Sequence, residues 1–451
     1  MRIHPEPSPK HALEQRPTAK VALDWAHSPL RSLYIHVPFC FHKCHYCDFY
    51  SFVDTADRQA PFVDALIREL ASLASHADPD AGLSTLFIGG GTPSLLHPDL
   101  WTTLLDALDN LFNLASLRDV GEFTVECNPE TVTVELMDTL ALGGVNRVSV
   151  GAQSFNQRHL KTLERWHDPA SVQCALALAD QAGIKRRSVD LIYAIPGQTL
   201  ADVREDLDIT LALDPGVEHL SAYCLTYEPN TPLTVRADRG DITPIDDNLA
   251  ADMQTLVHET LNAADFARYE VSNYAKHDRT TIDGRDALST SGADARSAHN
   301  LAYWRNQSWL AAGPSASAHL LTTDPATGLP AGARWKNVPR LGSWIDAVND
   351  TGFSTMVDYE APDPRRTLVE RLMMGIRLAD GLPAADLLGQ AAILNGDASL
   401  GRAADEAHAT GLLETTADHW RLTDRGFLHA DGVAADLMNA ISIEPATKAR
   451  S

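Results

Sequence analysis

Three cysteines, Cys40, Cys44 and Cys47, fall within eight residues in the segment LYIHVPFCFHKCHYCDFY. Thiolates are soft donors, and a Cys-x3-Cys-x2-Cys loop leaves two chemistries open. In one, each sulfur takes one iron of a 4Fe–4S cube. The fourth iron then has no protein ligand and can be chelated by the amino and carboxylate groups of S-adenosylmethionine. In the other, the loop holds a structural zinc with His42 or His45 as the fourth ligand. Phe39, Phe41, Tyr46, Phe49 and Tyr50 flank the loop and would shield a cluster from water, or simply pack.

The elements that must hold this loop follow from the pattern around it. Short β-rich runs occur at Leu33–Val37, Thr85–Ile88, Glu122–Glu126, Arg147–Val150, Ser188–Tyr193 and His219–Leu225. Helically spaced segments such as PFVDALIRELASL and LADVREDLDITLAL separate them. Strand–helix alternation of this kind predicts parallel strands with covering helices, in a doubly wound sheet or an incomplete barrel. In a barrel the chemistry lies at the carboxyl ends of the strands. Polar groups recur at those ends: Gly89-Gly90-Gly91-Thr92-Pro93, then Glu126 before Asn128-Pro129, then Gly151-Ala152-Gln153 with Arg165 beyond, then Asp190 before Pro196-Gly197. Each alone is an ordinary turn or capping residue; their shared placement points to one site.

Outside this core, residues 1–30 are polar and aperiodic and predict a loose tail. The core runs from 31 to 275, with an amphipathic helix over Asp247–Ala264 and a strand-like run over Ala267–Tyr274. A connecting region spans 276–355, beginning with a Gly/Ser/Asp-rich loop or insertion at 277–298. From 356 to 451 the pattern becomes helix, helix, hairpin, helix, like a winged helix. The formal charge of −23 argues against partners recognised through phosphates, and so favours a packing or lid role for that domain over DNA binding. With no membrane-length apolar run, no secretory leader and cysteines unsuited to a disulfide framework, the reading is cytoplasmic.

YIHVPFC, the cysteine loop, GGGTPS, VECNPE, VNRVSVGAQSFN, DLIYAIPGQ and LTYEPNT together resemble the radical S-adenosylmethionine branch that contains oxygen-independent coproporphyrinogen III dehydrogenases and the HemW haem chaperones. The likeness covers about residues 31–450. It implies an α/β fold, a partial (β/α)6 radical SAM barrel with a C-terminal helical, winged-helix-like domain. It also implies Cys40, Cys44 and Cys47 as 4Fe–4S ligands, with Tyr34, Gly90, Gly91, Thr92, Glu126, Gln153, Arg165 and Asp190 contacting S-adenosylmethionine.

Two features separate the branches. The dehydrogenases carry a further cysteine two residues after the third, where this chain has Phe49. The chaperones carry His-Asn-x-x-Tyr-Trp, matched by His299-Asn300-Leu301-Ala302-Tyr303-Trp304. An imidazole can ligate haem iron and Tyr303 and Trp304 can lie on a porphyrin face, although a histidine beside aromatics is also an ordinary packing residue. His319 in GPSASAH is a second haem candidate, in a turn less glycine-rich than the family's. The resemblance thus implies a haem chaperone whose partners are haem, recipient haemoproteins such as respiratory cytochromes, and an electron donor, with a homodimer left open and no nucleic acid. The alternative is radical decarboxylation of coproporphyrinogen III, in which the reduced cluster cleaves S-adenosylmethionine and the resulting radical attacks the propionates.

Overall fold

The structure is a computed structural model that describes residues 17–23, 30–77, 82–276, 294–416 and 418–442. Six strands form its centre: β1 (Ser32–Val37), β2 (Thr85–Gly90), β3 (Glu122–Cys127), β4 (Arg147–Gln153), β5 (Arg186–Tyr193) and β6 (His219–Cys224). Each pairs in parallel with the next, and a helix follows each. These helices are α1 (Gln59–Ala74), α2 (Pro98–Phe112), α3 (Val134–Leu142), α4 (Ala170–Gln181), α5 (Leu200–Leu211) and α6 (Asp247–Ala263). The expected partial (β/α)6 barrel is present.

The strands sort their residues by period 2. Leu33, Ile35, Leu86, Ile88, Phe123, Val125, Val148, Val150, Val189 and Leu220 are buried in the main apolar core. Full burial of each such side chain contributes about 1.5–3 kcal/mol. The intervening positions face the other way and are polar, aromatic or glycine: Tyr34 and His36, Phe87 and Gly89, Glu122 and Glu126, Arg147 and Ser149, Ser188 and Asp190, His219 and Ser221. One side of the sheet is a hydrocarbon core; the other is a lined interior.

The run over Ala267–Tyr274 is a hairpin, β7 (Phe266–Arg268) and β8 (Asn273–Lys276), with β8 antiparallel to β6. On the far edge, β9 (Leu310–Ala312) pairs in parallel with β1, giving the order β9-β1-β2-β3-β4-β5-β6-β8-β7. A second sheet, unassigned from the sequence, consists of β10 (Ser317–Thr323), β11 (Pro330–Asn337) and β12 (Met356–Asp363). Buried Glu69 of α1 anchors this region to the barrel. Its carboxylate accepts from Gly313 N at 2.7 Å, Asn337 Nδ2 at 3.1 Å and Trp344 Nε1 at 3.1 Å.

Residue 356, where the sequence changes character, opens β12. Asp363 then caps the helix Pro364–Gly375, accepting from the backbone N–H groups of Arg365 and Arg366. Beyond it, β13 (Leu382–Pro383), two helices (Ala384–Ile393 and Asp397–Ala409), the hairpin β14 (Leu413–Thr415) and β15 (His419–Leu422), and the helix Ala430–Ser442 enclose their own apolar core. Strand, two helices, hairpin and helix is the winged-helix arrangement expected.

Part of the expected tail differs. Residues 19–23 form a short helix whose Ala19 and Leu23, one turn apart, are buried, and Pro17 O accepts from Met356 N. The rest of the tail before residue 17, and 277–293 of the expected insertion, lie outside the described residues.

Candidate functional site

β1 ends where the cysteine loop begins, and the glycine turn after β2 grips it. Gly91 N donates to Val37 O at 2.7 Å and Thr92 N to Phe39 O at 2.6 Å. At Gly91 a side chain would collide with those same carbonyls, its Cβ 2.5 Å from Phe39 O. Gly90 sits at φ +110°, with the His36 ring 2.6 Å from where its Cβ would be. Glycine is therefore required at both positions to dock β2 against β1.

Cys40, Cys44 and Cys47 are all half-buried. Thr92 Oγ1 donates to Cys40 Sγ at 3.7 Å and Arg165 Nη1 to Cys44 Sγ at 3.8 Å. Arg165 also donates through Nη2 to Gly151 O at 2.6 Å, while its buried Nε has no partner. Burial pushes the Cys47 thiol up to about 11 and raises that of Cys40, with the neighbouring thiols adding to both. Burial thus favours the uncharged thiol at Cys40 and Cys47; donors and a guanidinium aimed at the loop's sulfurs suit a group that holds them as thiolates.

A cube takes its three sulfurs on three separate irons, and this donor set fits it. A single zinc fits less well. Among the described residues no three His, Cys, Asp or Glu side chains converge as ligands of one ion, and His42 is stacked on Trp166.

The other strand-end residues ring the interior above this loop. Tyr34 OH lies 3.0 Å from His36 Nδ1, and His36 Nε2 donates to Tyr50 O at 2.8 Å. Glu126 accepts from Gly90 N at 3.0 Å. Burial, with Asp190 adding to it and the Gly90 bond opposing it, pushes its carboxyl up to about 7. Asp190 accepts from Ser149 Oγ at 3.1 Å and is likewise raised by burial. Gln153 has φ +64° at a break in the β4–β5 register, which turns it beside Gly151 and Arg165. The carboxyl end thus gathers three thiols, two carboxyls raised by burial, an amide and a buried cation.

The His-Asn-x-x-Tyr-Trp motif is elsewhere. It forms the helix Ala298–Trp304, capped by Ser297, at the amino end of the barrel. Glu122, the first residue of β3, accepts from Ser297 Oγ at 3.1 Å, Ala298 N at 3.0 Å and His299 N at 3.1 Å. Arg186 Nη2 stands 3.0 Å from this carboxylate and Arg147 Nη1 3.6 Å. Burial opposes the charge of Glu122, but the two arginines and the N–H donors hold it below the usual carboxylate range.

His299 is 1% exposed, with Nδ1 2.9 Å from Thr85 Oγ1 and Nε2 2.9 Å from Tyr303 OH, and its ring is stacked on Phe87. Burial pushes it down to about 4, so it is neutral with both nitrogens committed. In this structure His299, the expected haem-iron ligand, plugs the barrel. Tyr303 packs on Trp309, Trp304 packs with Leu301, Tyr269 and Leu378, and Asn300 is half-buried, its N–H bonded to Ser297 Oγ. The second haem candidate, His319, is also fully buried, with Nδ1 3.0 Å from Gln307 O.

Glu122, Arg147 and Arg186 escaped sequence reasoning. The one available signal was a charged residue opening each of three consecutive strands.

Among the described residues no helix is long and apolar enough to cross a membrane. Residues 34–209 match the family model for the radical SAM superfamily, and 363–429 that for the HemN C-terminal domain. The heme chaperone HemW of Mycobacterium tuberculosis is 34% identical over 412 residues, covering 90% of this chain and 94% of its own. HemW of Escherichia coli is 32% identical over 401 residues, covering 89% and 96%, and that of Bacillus subtilis 32% identical over 354, covering 78% and 85%. The fold matches the solved coproporphyrinogen III oxidase HemN of Escherichia coli with a TM-score of 0.74 at 20% identity, covering 96% and 94% of the two chains. This chain belongs to the HemW heme chaperone family of radical SAM proteins.

Proposed function

We propose that this protein binds haem and passes it to recipient haemoproteins, respiratory cytochromes among them, while Cys40, Cys44 and Cys47 carry a 4Fe–4S cluster. The observation that carries this reading is the ligand set at the cysteine loop. It has three thiols and no fourth, because Phe49 occupies the position of the dehydrogenases' additional cysteine and is 60% exposed. The relatives named as heme chaperones support it over most of their length.

When bound, the cluster with S-adenosylmethionine would supply one-electron chemistry at the barrel mouth. The chain's own residues would do the rest. Arg165 and Thr92 would donate to the thiolates, and Arg165 would balance part of their charge. Tyr34, Gly90, Gly91, Thr92, Glu126, Gln153, Arg165 and Asp190 would surround S-adenosylmethionine, with Glu126 and Asp190 accepting from its hydroxyl or ammonium groups. Reduction would require an external electron donor.

Anaerobic reconstitution followed by two assays on one sample tests this. The expected result is iron and sulfide bound in cluster stoichiometry, saturable haem binding, and no conversion of coproporphyrinogen III. Turnover of coproporphyrinogen III would overturn the chaperone reading. Zinc without iron or sulfide would overturn the cluster.

A further inference from the structure

Glu122 uses only part of the two arginines that neutralise it. A pocket of about 230 Å³ opens at the amino ends of β4, β5 and β6, lined by Arg147, Lys185, Arg186, Arg187, Glu218 and His219, with Ala295 at one side. The run Lys185-Arg186-Arg187 feeds β5, and Arg147 opens β4 opposite Arg186, so strand register gathers four cations in a chain of formal charge −23. Their carboxylate partners are three, Glu122, Asp180 and Glu218, which leaves one positive charge uncompensated. Asp294, the other carboxylate near Arg186, is paired with Arg296.

The four cations are not equally committed. Arg187 is wall: its Nε donates to Gly216 O at 3.1 Å, Nη1 to Asp180 Oδ1 at 2.9 Å and Nη2 to Glu218 Oε1 at 3.0 Å. Arg186 spends Nη1 on Gly121 O at 3.4 Å, and Nη2 on Glu122 Oε2 and Asp294 O, each at 3.0 Å. The Arg147 guanidinium makes one hydrogen bond among the described residues, from Nη1 to Ala295 O at 3.0 Å. Its Nε and Nη2 are uncommitted and, unlike the buried Nε of Arg186, are not shut away from solvent. Lys185 reaches the rim, its side chain 68% exposed. Its ammonium donates to Asp180 alone, to O at 3.3 Å and Oδ1 at 3.0 Å, which leaves a third N–H for an anion. His219 adds no charge. Burial, with Arg147 and Arg186 beside it, holds its pKa well below the usual imidazole range. Ala295 joins this cationic wall to apolar surface, since it also packs against the cluster of Tyr269, Leu301 and Leu378 that Trp304 covers.

Uncommitted donors beside an apolar cluster suit a ligand with carboxylates on the edge of an apolar body. We propose that the pocket receives the propionate carboxylates of haem, with Arg147 and Lys185 as their direct partners and the macrocycle towards Ala295 and Trp304. The inference rests on the haem-binding reading above. Glu122 accepts from the N–H groups of Ala298 and His299 while it neutralises Arg147 and Arg186. The propionates and the His-Asn helix would therefore share one charged hub.

The test is calorimetric titration of reconstituted full-length protein with haem, haem dimethyl ester and citrate, for wild type and Lys185→Gln. We expect wild type to bind the diester at least about tenfold more weakly than haem, because esterification removes both carboxylate charges. Lys185→Gln, a change at an exposed side chain, should weaken haem several-fold and leave the diester's affinity unchanged. Arg147→Lys keeps the charge beside Glu122 but loses the planar fork, and should show the same selectivity. Equal affinities for haem and its diester, or a Lys185→Gln effect that is the same for both, would overturn the propionate assignment and leave the haem reading standing. Citrate bound as tightly as haem, with the same dependence on Lys185, would assign the pocket to free polycarboxylates and overturn it as well. Wild type that binds no haem would overturn both readings.

Discussion

Glu122 and Glu126 stand four residues apart on β3, face the same interior, and meet opposite fates. Glu122, at the amino end, is fully buried yet charged, because two arginines and three hydrogen-bond donors converge on it. Glu126, at the carboxyl end, has one N–H donor and an acidic neighbour, and its carboxyl is pushed up to about 7. The comparison separates the barrel's two ends by kind. At the amino end polar groups satisfy one another and close the structure. At the carboxyl end they are left short of partners, as a site that takes up a ligand requires.

The sharpest way to break this contrast is Glu122→Gln. It leaves Arg147 and Arg186 buried without their counter-charge, and should cost about 3–5 kcal/mol of stability in urea unfolding. A loss under 1 kcal/mol would mean that the amino end is not held by this carboxylate.

The opposite end should reveal itself through pH. The folded-state value of Glu126 is raised, so its contribution is fully present below about pH 4.5 and is lost as pH rises towards about 7. Its partial exposure reduces the effect to about 1–2 kcal/mol. Comparing wild type with Glu126→Gln across pH 4.5–8 should show that component absent from the variant. Parallel curves would place Glu126 among ordinary surface carboxylates.

The smallest effect concerns the thiols. Thr92→Val removes the donor to Cys40 Sγ at a net cost of about 0.5–1 kcal/mol, and reconstituted protein should lose iron to a chelator a few times faster. An unchanged rate would remove Thr92 from the cluster's support.

How much of this was legible in the sequence depends on range. The six parallel strands and the cysteine loop were readable because their signals are local: period-2 apolar runs, glycine turns and tight cysteine spacing. The sheet β10-β11-β12 was missed because Pro362 and a charged face interrupt its alternation, and because its register is irregular on one side. The Glu122 hub was invisible since its partners, Arg147, Arg186 and Ser297, are brought together only by strand register. His299 was singled out from its motif, but its surroundings depend on Thr85 and Phe87, which no pattern around residue 299 contains. Exposure of Trp166 beside His42 had no sequence signal at all.

The placement of β9 has a further consequence during synthesis. Leu33 of β1 pairs with Leu310 of β9, so the first strand of the barrel leaves the ribosome long before its outer neighbour exists. Until then the growing sheet carries a bare edge directly beside the cysteine loop, and bare edges invite pairing with other chains. A nascent chain stalled before residue 310 should be the form most dependent on holdase chaperones.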